Sequence, residues 1–209
     1  MLAPFGDDAA AAFTALRSWF AEGMVSAVAS RPRVDTDEQL MERFLEGDPA
    51  AFDALFARHA RSVRGYLAKL TGSDAVADDL TQVTFVSMVR GRGRFQRGAK
   101  VKPWLYAIAT NAARDWRRRS KFESVSDDGE LPDGPAEPVP ERDFGLEKVV
   151  KNALQQLPEA QREAIVLNRY EGLSFAEIAE HAGVTESAVK VRAHRGYERL
   201  RELLKGVWS

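Results

Sequence analysis

Lys190 and His194 lie one helical turn apart, as do Ser187, Val191 and Arg195, so in a helix these side chains share a surface near its front end. A recognition helix puts that end into the major groove of duplex DNA, where donors and apolar groups read base edges. Thr185 caps the helix and Glu186 follows in its first turn, where an acid favours the dipole. Val189, Ala193, Tyr197, Leu200 and Leu204 recur at helical spacing and predict its buried stripe. Just upstream, Ser174 with Glu177 forms a capping box, Ile178 and Ala179 point inward, and Gly183 permits the sharp turn. The charge run alone favours a solvated amphipathic hairpin. Capping box, turn glycine and small inner residue at this spacing decide for a helix-turn-helix.

A second chemistry-bearing stretch is GRGRFQRGAKVKPWLYAIATNAARDWRRRSK, residues 91–121. Its glycines space basic residues around Phe95, and a helix is predicted from near Lys102, with Pro103 at its first position, to about Lys121. Cations interleaved with Phe95, Trp104, Tyr106 and Trp116 suit single-stranded nucleic acid, where cations follow the backbone and rings stack on bases. Trp104, Leu105 and Ile108 also fit a core at helical spacing, so both roles stay open for Trp104. Arg117, Arg118 and Arg119 sit at the helix C-terminus, where the dipole accounts for one cation but not three.

The third stretch is DDLTQVTFVSMV. Asp78, Asp79 and Gln82 share a face, and Leu80, Val83, Val86 and Met88 are predicted on the other. Paired acids near a threonine raise a metal or acid–base site, but no histidine or further carboxylate lies nearby in sequence. A solvated face or a partner contact fits better. His59, His181 and His194 are far apart and accompany no nucleophile or metal triad, and cysteine is absent. Disulfides, thiolate zinc sites and cysteine nucleophiles are therefore excluded, no cofactor is called for, and the chain is read as not an enzyme.

The elements that must position these groups are helical throughout. With 209 residues the chain has room for one or two domains. A short amphipathic helix is expected within Asp7–Val28, followed by a linker at Ser30–Arg33. Three helices follow from Asp37, with Thr36, Asp48 and Ser73 as N-caps and Pro49 at a first helical position. Phe44, Leu45, Phe52, Leu55, Phe56, Val63, Tyr66, Leu67 and Leu70 alternate with charges at helical period and predict a bundle core. Ser120–Arg142 has four prolines and two glycines and reads as an extended acidic linker. Beyond it Leu146, Val149, Val150, Leu154, Ile165, Val166 and Leu167 predict a second core over the helix-turn-helix, with a break at Leu157-Pro158.

Net charge is −1, but Arg90–Lys121 carries eleven basic residues against one acid, and Lys121–Gly145 two against eight. Such segregation marks a phosphate-binding surface. A basic leader before an apolar run and any apolar span of about eighteen residues are both missing, so a soluble, cytoplasmic chain without membrane insertion is expected.

DDLTQVTF, the basic glycine loop, PWLYAIATNAARDWRRR, a variable linker and then LPEAQREAIVLNRYEGLSFAEIAEHAGVTESAVKVRAHRGYERLR resemble a bacterial sigma factor of the extracytoplasmic-function (ECF) group within the sigma-70 family. The resemblance spans about Asp37 to Leu204. It implies an all-α fold of two small helical domains joined by a flexible acidic linker: an extension at 1–36, a region 2 bundle at 37–121, the linker at 122–143 and a region 4 helix-turn-helix domain at 144–209. It further implies promoter recognition and melting to start transcription. Partners would be core RNA polymerase, through the β′ clamp helices and the β flap, promoter DNA and an anti-sigma factor. Carried over by position, Asp78, Asp79 and Gln82 would bind core polymerase. Phe95, Arg97, Lys100, Lys102, Trp104, Asn111, Arg114, Arg117 and Arg118 would take the minus-ten element. Lys190, Val191, Arg192, His194 and Arg195 would read the minus-thirty-five element. Val191 stands where many relatives carry a small polar residue, implying an apolar contact such as a thymine methyl. Val83 replaces an acid common in the clamp-binding helix, and RGAKVKPWL departs from the usual Ser-Phe before the tryptophan. A stand-alone helix-turn-helix regulator is the competing reading, but it gives no reason for the basic aromatic surface at Arg90–Arg119.

Overall fold

The computed structural model describes residues 35–126 and 144–205. The readings made for residues 1–34 and for most of the acidic linker lie outside these.

Local caps set the helix starts. Helix α1, Asp37–Leu45, begins at a capping box of Thr36 and Gln39, and α2, Pro49–Thr71, at Asp48, whose carboxylate accepts from the Ala50 N–H. Pro49 stands at the first position of α2, where a missing N–H costs nothing. Gly72 ends α2 in the left-handed region at φ 79°, and Ser73 then caps α3, Asp74–Gly91. A 3₁₀ turn, Arg92–Arg94, leads to the 26-residue α4, Val101–Ser126. The second group is α5, Phe144–Gln155; α6, Glu159–Arg169; α7, Phe175–Ala182; and α8, Glu186–Leu204. No strand occurs among the described residues.

Helices α1–α4 pack around Met41, Leu55, Tyr66, Leu67, Phe85, Met88, Leu105 and Tyr106, all buried. Phe52 stands 5.3 Å from Phe44, and Phe56 4.6 Å from Phe85, in tilted pairs that favour the ring quadrupoles. Helices α5–α8 bury Leu154, Ile165, Val166, Leu167, Ile178, Val189 and Ala193, and the apolar core continues across the joint between the groups. His59 is buried with Nε2 2.7 Å from Asp37, a satisfied core histidine that ties α1 to α2.

Three expectations shift. Val83 is 44% exposed, because α3 buries Ala77, Leu80, Thr81, Thr84, Phe85 and Met88. Thr81 and Thr84 can join that stripe because each hydroxyl donates to the carbonyl four residues back, at 2.6 and 2.7 Å. On α8, Tyr197 is 39% exposed and Gly196 takes the buried place beside it. Helix α4 starts at Val101 and continues past Lys121 to Ser126, with Pro103 still inside its first turn.

Candidate nucleic-acid interface

The helix-turn-helix forms as its residues dictate. Ser174 Oγ accepts from the Glu177 N–H at 3.2 Å, and Glu177 accepts from the Ser174 N–H at 2.8 Å. Gly183 turns the chain at φ 64°, and Thr185 accepts from the Ala188 N–H to open α8. The inward face of α8 is small where it meets α6: a Cβ on Gly196 would stand 2.6 Å from Ile165 Cδ1 and 3.2 Å from Gln161 Cβ. Packing this close seats α8 with Lys190, Val191, His194 and Arg195 outward, while Arg192 is half-buried. Lys190 pairs with Glu186 at 2.7 Å and His194 lies 3.4 Å from Glu198, both exposed and within the helix, hence easily exchanged for phosphate or base contacts. Val191 is 47% exposed, an apolar side chain held out among cations.

The second basic surface belongs to the loop before α4 and to α4 itself. Phe95 is buried, its ring 5.0 Å from that of Trp104 in an edge-on pair, so in this conformation its ring serves the core. Trp104 is half-buried and serves core and surface together. Arg97 and Arg118 are 63% and 80% exposed, and Asn111 is exposed as well. Lys102 lies over the Tyr106 ring at 5.8 Å. The remaining cations are occupied by the second group of helices. Lys100 pairs with Glu177 at 2.7 Å, Arg114 grips Glu163 with Nε and Nη2 at 3.0 and 2.5 Å, and Arg117 pairs with Glu159 at 2.8 Å.

Around these pairs the joint is polar and buried. The Tyr106 hydroxyl donates to Glu171, and Tyr66 and Thr110 bond each other at 2.6 Å below it. Burial raises the Glu171 carboxyl above its ordinary value, the Tyr106 bond pulling the other way. Lys100, with the Ser174 N–H and hydroxyl, holds Glu177 down at about 2. At the C-terminus of α2, where the last carbonyls lack helical partners, Gln155 donates to Lys69 O at 2.7 Å and Arg162 to Leu70 O at 2.6 Å. Sequence reasoning missed Glu159, Glu163, Glu171, Gln155 and Arg162. Glu159 and Glu163 stand one turn apart on α6, a visible acidic line, but nothing local names its partner 49 residues upstream on α4.

On α3, Asp78 is paired with Arg64 at 2.5 Å, Asp79 is exposed and Gln82 is half-buried. Together with the exposed Val83 they form one continuous outer face rather than the segregated polar face expected.

Residues 55–123 match sigma-70 region 2, and residues 148–200 match sigma-70 region 4. The chain is 47% identical over 165 residues to the RNA polymerase sigma factor CarQ of Myxococcus xanthus, covering 78% of this chain and 95% of that protein. It belongs to the sigma-70 family, in the ECF group. The ECF sigma factor SigM of Mycobacterium tuberculosis is 38% identical over 175 residues, covering 81% and 85%. The sigma factor RpoE of Bartonella quintana, solved with the anti-sigma factor NepR, superposes with a TM-score of 0.66 at 28% identity, covering 74% of this chain and 96% of that one. CnrH, solved with the cytosolic domain of CnrY, gives 0.63 at 26% identity over 82% and 99%. As an ECF sigma factor the chain serves promoter-directed transcription by RNA polymerase; a free-standing regulator is not favoured.

Proposed function

We propose that this ECF sigma factor divides promoter reading between its two basic surfaces and contributes no bond chemistry of its own. Residues 37–121 act as the domain for core binding and the minus-ten element, 144–209 as the domain for the minus-thirty-five element, and 122–143 as their connector. The observation that carries this reading is the outward row Lys190, Val191, His194 and Arg195 on a capped helix-turn-helix. Arg195 and Lys190 donate to guanine O6 and N7, Val191 meets a thymine methyl, and Arg192 follows the backbone; each good bidentate contact gives ~1–3 kcal/mol of discrimination. In region 2, Arg97, Lys100, Lys102, Asn111, Arg114, Arg117 and Arg118 neutralise the melted strand, and Phe95 with Trp104 walls the pocket of a flipped base. Unstacking that base costs a few kcal/mol, offset by pocket contacts and phosphate neutralisation.

The outer face of α3, Asp78, Asp79 and Gln82 with Val83, docks on the β′ clamp helices of core polymerase, and region 4 on the β flap. The working place is the cytoplasm, and an anti-sigma factor is a partner, in keeping with the complexes in which RpoE and CnrH were solved.

The test is run-off transcription. The purified chain added to core polymerase should give promoter-specific transcripts, and Arg195→Ala should lower them selectively on templates with an intact minus-thirty-five element. No transcript with core, or an equal loss from Arg195→Ala on every template, overturns the respective assignment.

A further inference from the structure

Helix α4 carries the minus-ten contacts, yet the residues that lead into it cannot cap it. Val101 opens the helix after Ala99 and Lys100, a methyl and an ammonium that accept no hydrogen bond. A helix start leaves its first amide N–H groups unpaired, and Pro103 removes only one of them. The missing acceptor comes from α1. The half-buried Glu38 carboxylate accepts from the Val101 N–H at 3.4 Å, from 63 positions upstream, and its charge suits the positive end of the α4 dipole. The same charge reaches Lys100, whose ammonium is raised above its ordinary value first by Glu177 and more weakly by Glu38.

Helix α1 also braces the loop that precedes α4. The Arg92 guanidinium lies over the Phe44 ring at 5.8 Å where the loop begins, and Glu46, just past the end of α1, stands 3.9 Å from Arg97 in its middle. Between these points and Val101 the loop turns at Gly98, with φ 79°, and closes with the Ala99 N–H donating to Gln96 O at 3.0 Å. The three braces differ in kind. Arg97 and Glu46 are both exposed, so their pair holds little and releases Arg97 readily to a phosphate. Phe44 holds a flexible side chain. Glu38 is the one that grips backbone, and it does so at the point where loop becomes helix. That point separates the two rings assigned to the base pocket: Phe95 belongs to the loop and Trp104 to the first turn of α4, 5.0 Å apart.

We propose that Glu38 is a positioning residue for base capture in the minus-ten element, capping α4 from α1 and so setting Trp104 against Phe95. Glu38 touches no DNA; it acts through the Val101 N–H. The proposal rests on the assignment of Phe95 and Trp104 to the flipped base.

The test uses holoenzyme assembled from the full chain and core polymerase, incubated with single-stranded DNA of randomised sequence, the retained strands being sequenced. Wild type should enrich one base strongly at one position. Glu38→Ala should lower that enrichment about fivefold, the scale of a lost helix cap. Total retention of the pool, which phosphate contacts govern, should stay within about twofold. A merely destabilised domain would do the opposite, lowering retention and leaving the preference of the strands that bind unchanged. Glu38→Gln keeps an oxygen acceptor of the same reach and should hold the enrichment within about twofold of wild type. Glu38→Asp keeps the charge but draws it back by one carbon, so it should lose enrichment as alanine does, and it serves in place of alanine if that variant folds poorly. Glu42→Ala, an exposed acid one turn along α1, should match wild type. Enrichment retained in Glu38→Ala and Glu38→Asp, or lost as fully in Glu38→Gln, overturns the proposal. A wild type that enriches no base overturns the base-pocket assignment instead, so the two failures are distinct.

Discussion

Arg162 is a buried cation held mainly by amide oxygens. Nη1 donates to Leu70 O and the Gln155 side chain, Nη2 to Leu157 O at 3.2 Å, and Nε finds no partner. Burial, then the nearby Arg117 charge, pulls its guanidinium down to about 10. Arg162→Met keeps an apolar stem of similar length but orphans Leu157 O, with Leu70 O left to Arg117. We expect a loss of ~1–3 kcal/mol, seen as a lower urea midpoint at an unchanged slope; a midpoint equal to wild type would show that the buried donors contribute nothing net. Nothing in the sequence distinguishes Arg162 from the solvated arginines around it, because its partners are backbone oxygens 92 and 5 residues away. Ser174, Glu177, Gly183 and Asp48 were legible for the opposite reason: each acts on its own helix end within a few residues. Phe95 lies between. Its cationic neighbours pointed to a base platform, whereas its burial depends on Trp104, nine positions on in sequence and one loop away in space.

For helices, period and caps told where elements lie, and packing told what they could not. The stripe on α8 runs through Val189, Ala193, Gly196 and Leu200, and Tyr197, the larger and more apolar-looking choice, is pushed to its margin. A glycine inside a helix ordinarily costs about 1 kcal/mol against alanine, so its presence at 196 needs a tertiary cause, and the 2.6 Å approach of Ile165 Cδ1 supplies one. Gly196→Ala should therefore destabilise region 4 despite the better helix propensity, by ~1–3 kcal/mol for overpacking less that gain. Because the methyl would wedge α8 from α6, minus-thirty-five discrimination should weaken too. Ile165→Val removes the colliding atom. In a double-mutant cycle on thermal unfolding the pair should be less destabilised than the sum of the singles. Strict additivity would mean that the close contact does not limit the packing.

In the whole molecule two of the acids at the joint between the helical groups sit in environments that oppose each other, and this gives the packing of the two groups a pH dependence. Glu177 is held at about 2 against an ordinary 4.5, first by Lys100. An acid depressed on closure binds its proton later than in the open form, so its contribution is complete above 4.5 and is lost as pH falls toward 2. Glu171 is shifted upward, first by burial against the first domain, where Tyr106 reaches it. The closed form there takes up a proton that the open form has not yet bound, so closure strengthens as pH falls from the raised value to 4.5. Region 2 and region 4 should accordingly be held together best in mild acid near 4.5, less firmly at neutral pH, and progressively less below. The chain has no cysteine, so energy transfer between dyes placed at Glu46→Cys in the first group and Glu202→Cys in the second, followed from neutral pH downward, should trace that maximum. Glu171→Gln should flatten the limb above 4.5 and leave the lower one, while Glu177→Gln should weaken the lower limb to the part that Asp74, held down first by Lys151, supplies. Two limbs that respond to separate substitutions would assign the titration to the joint; a profile indifferent to both would place it in the helices themselves.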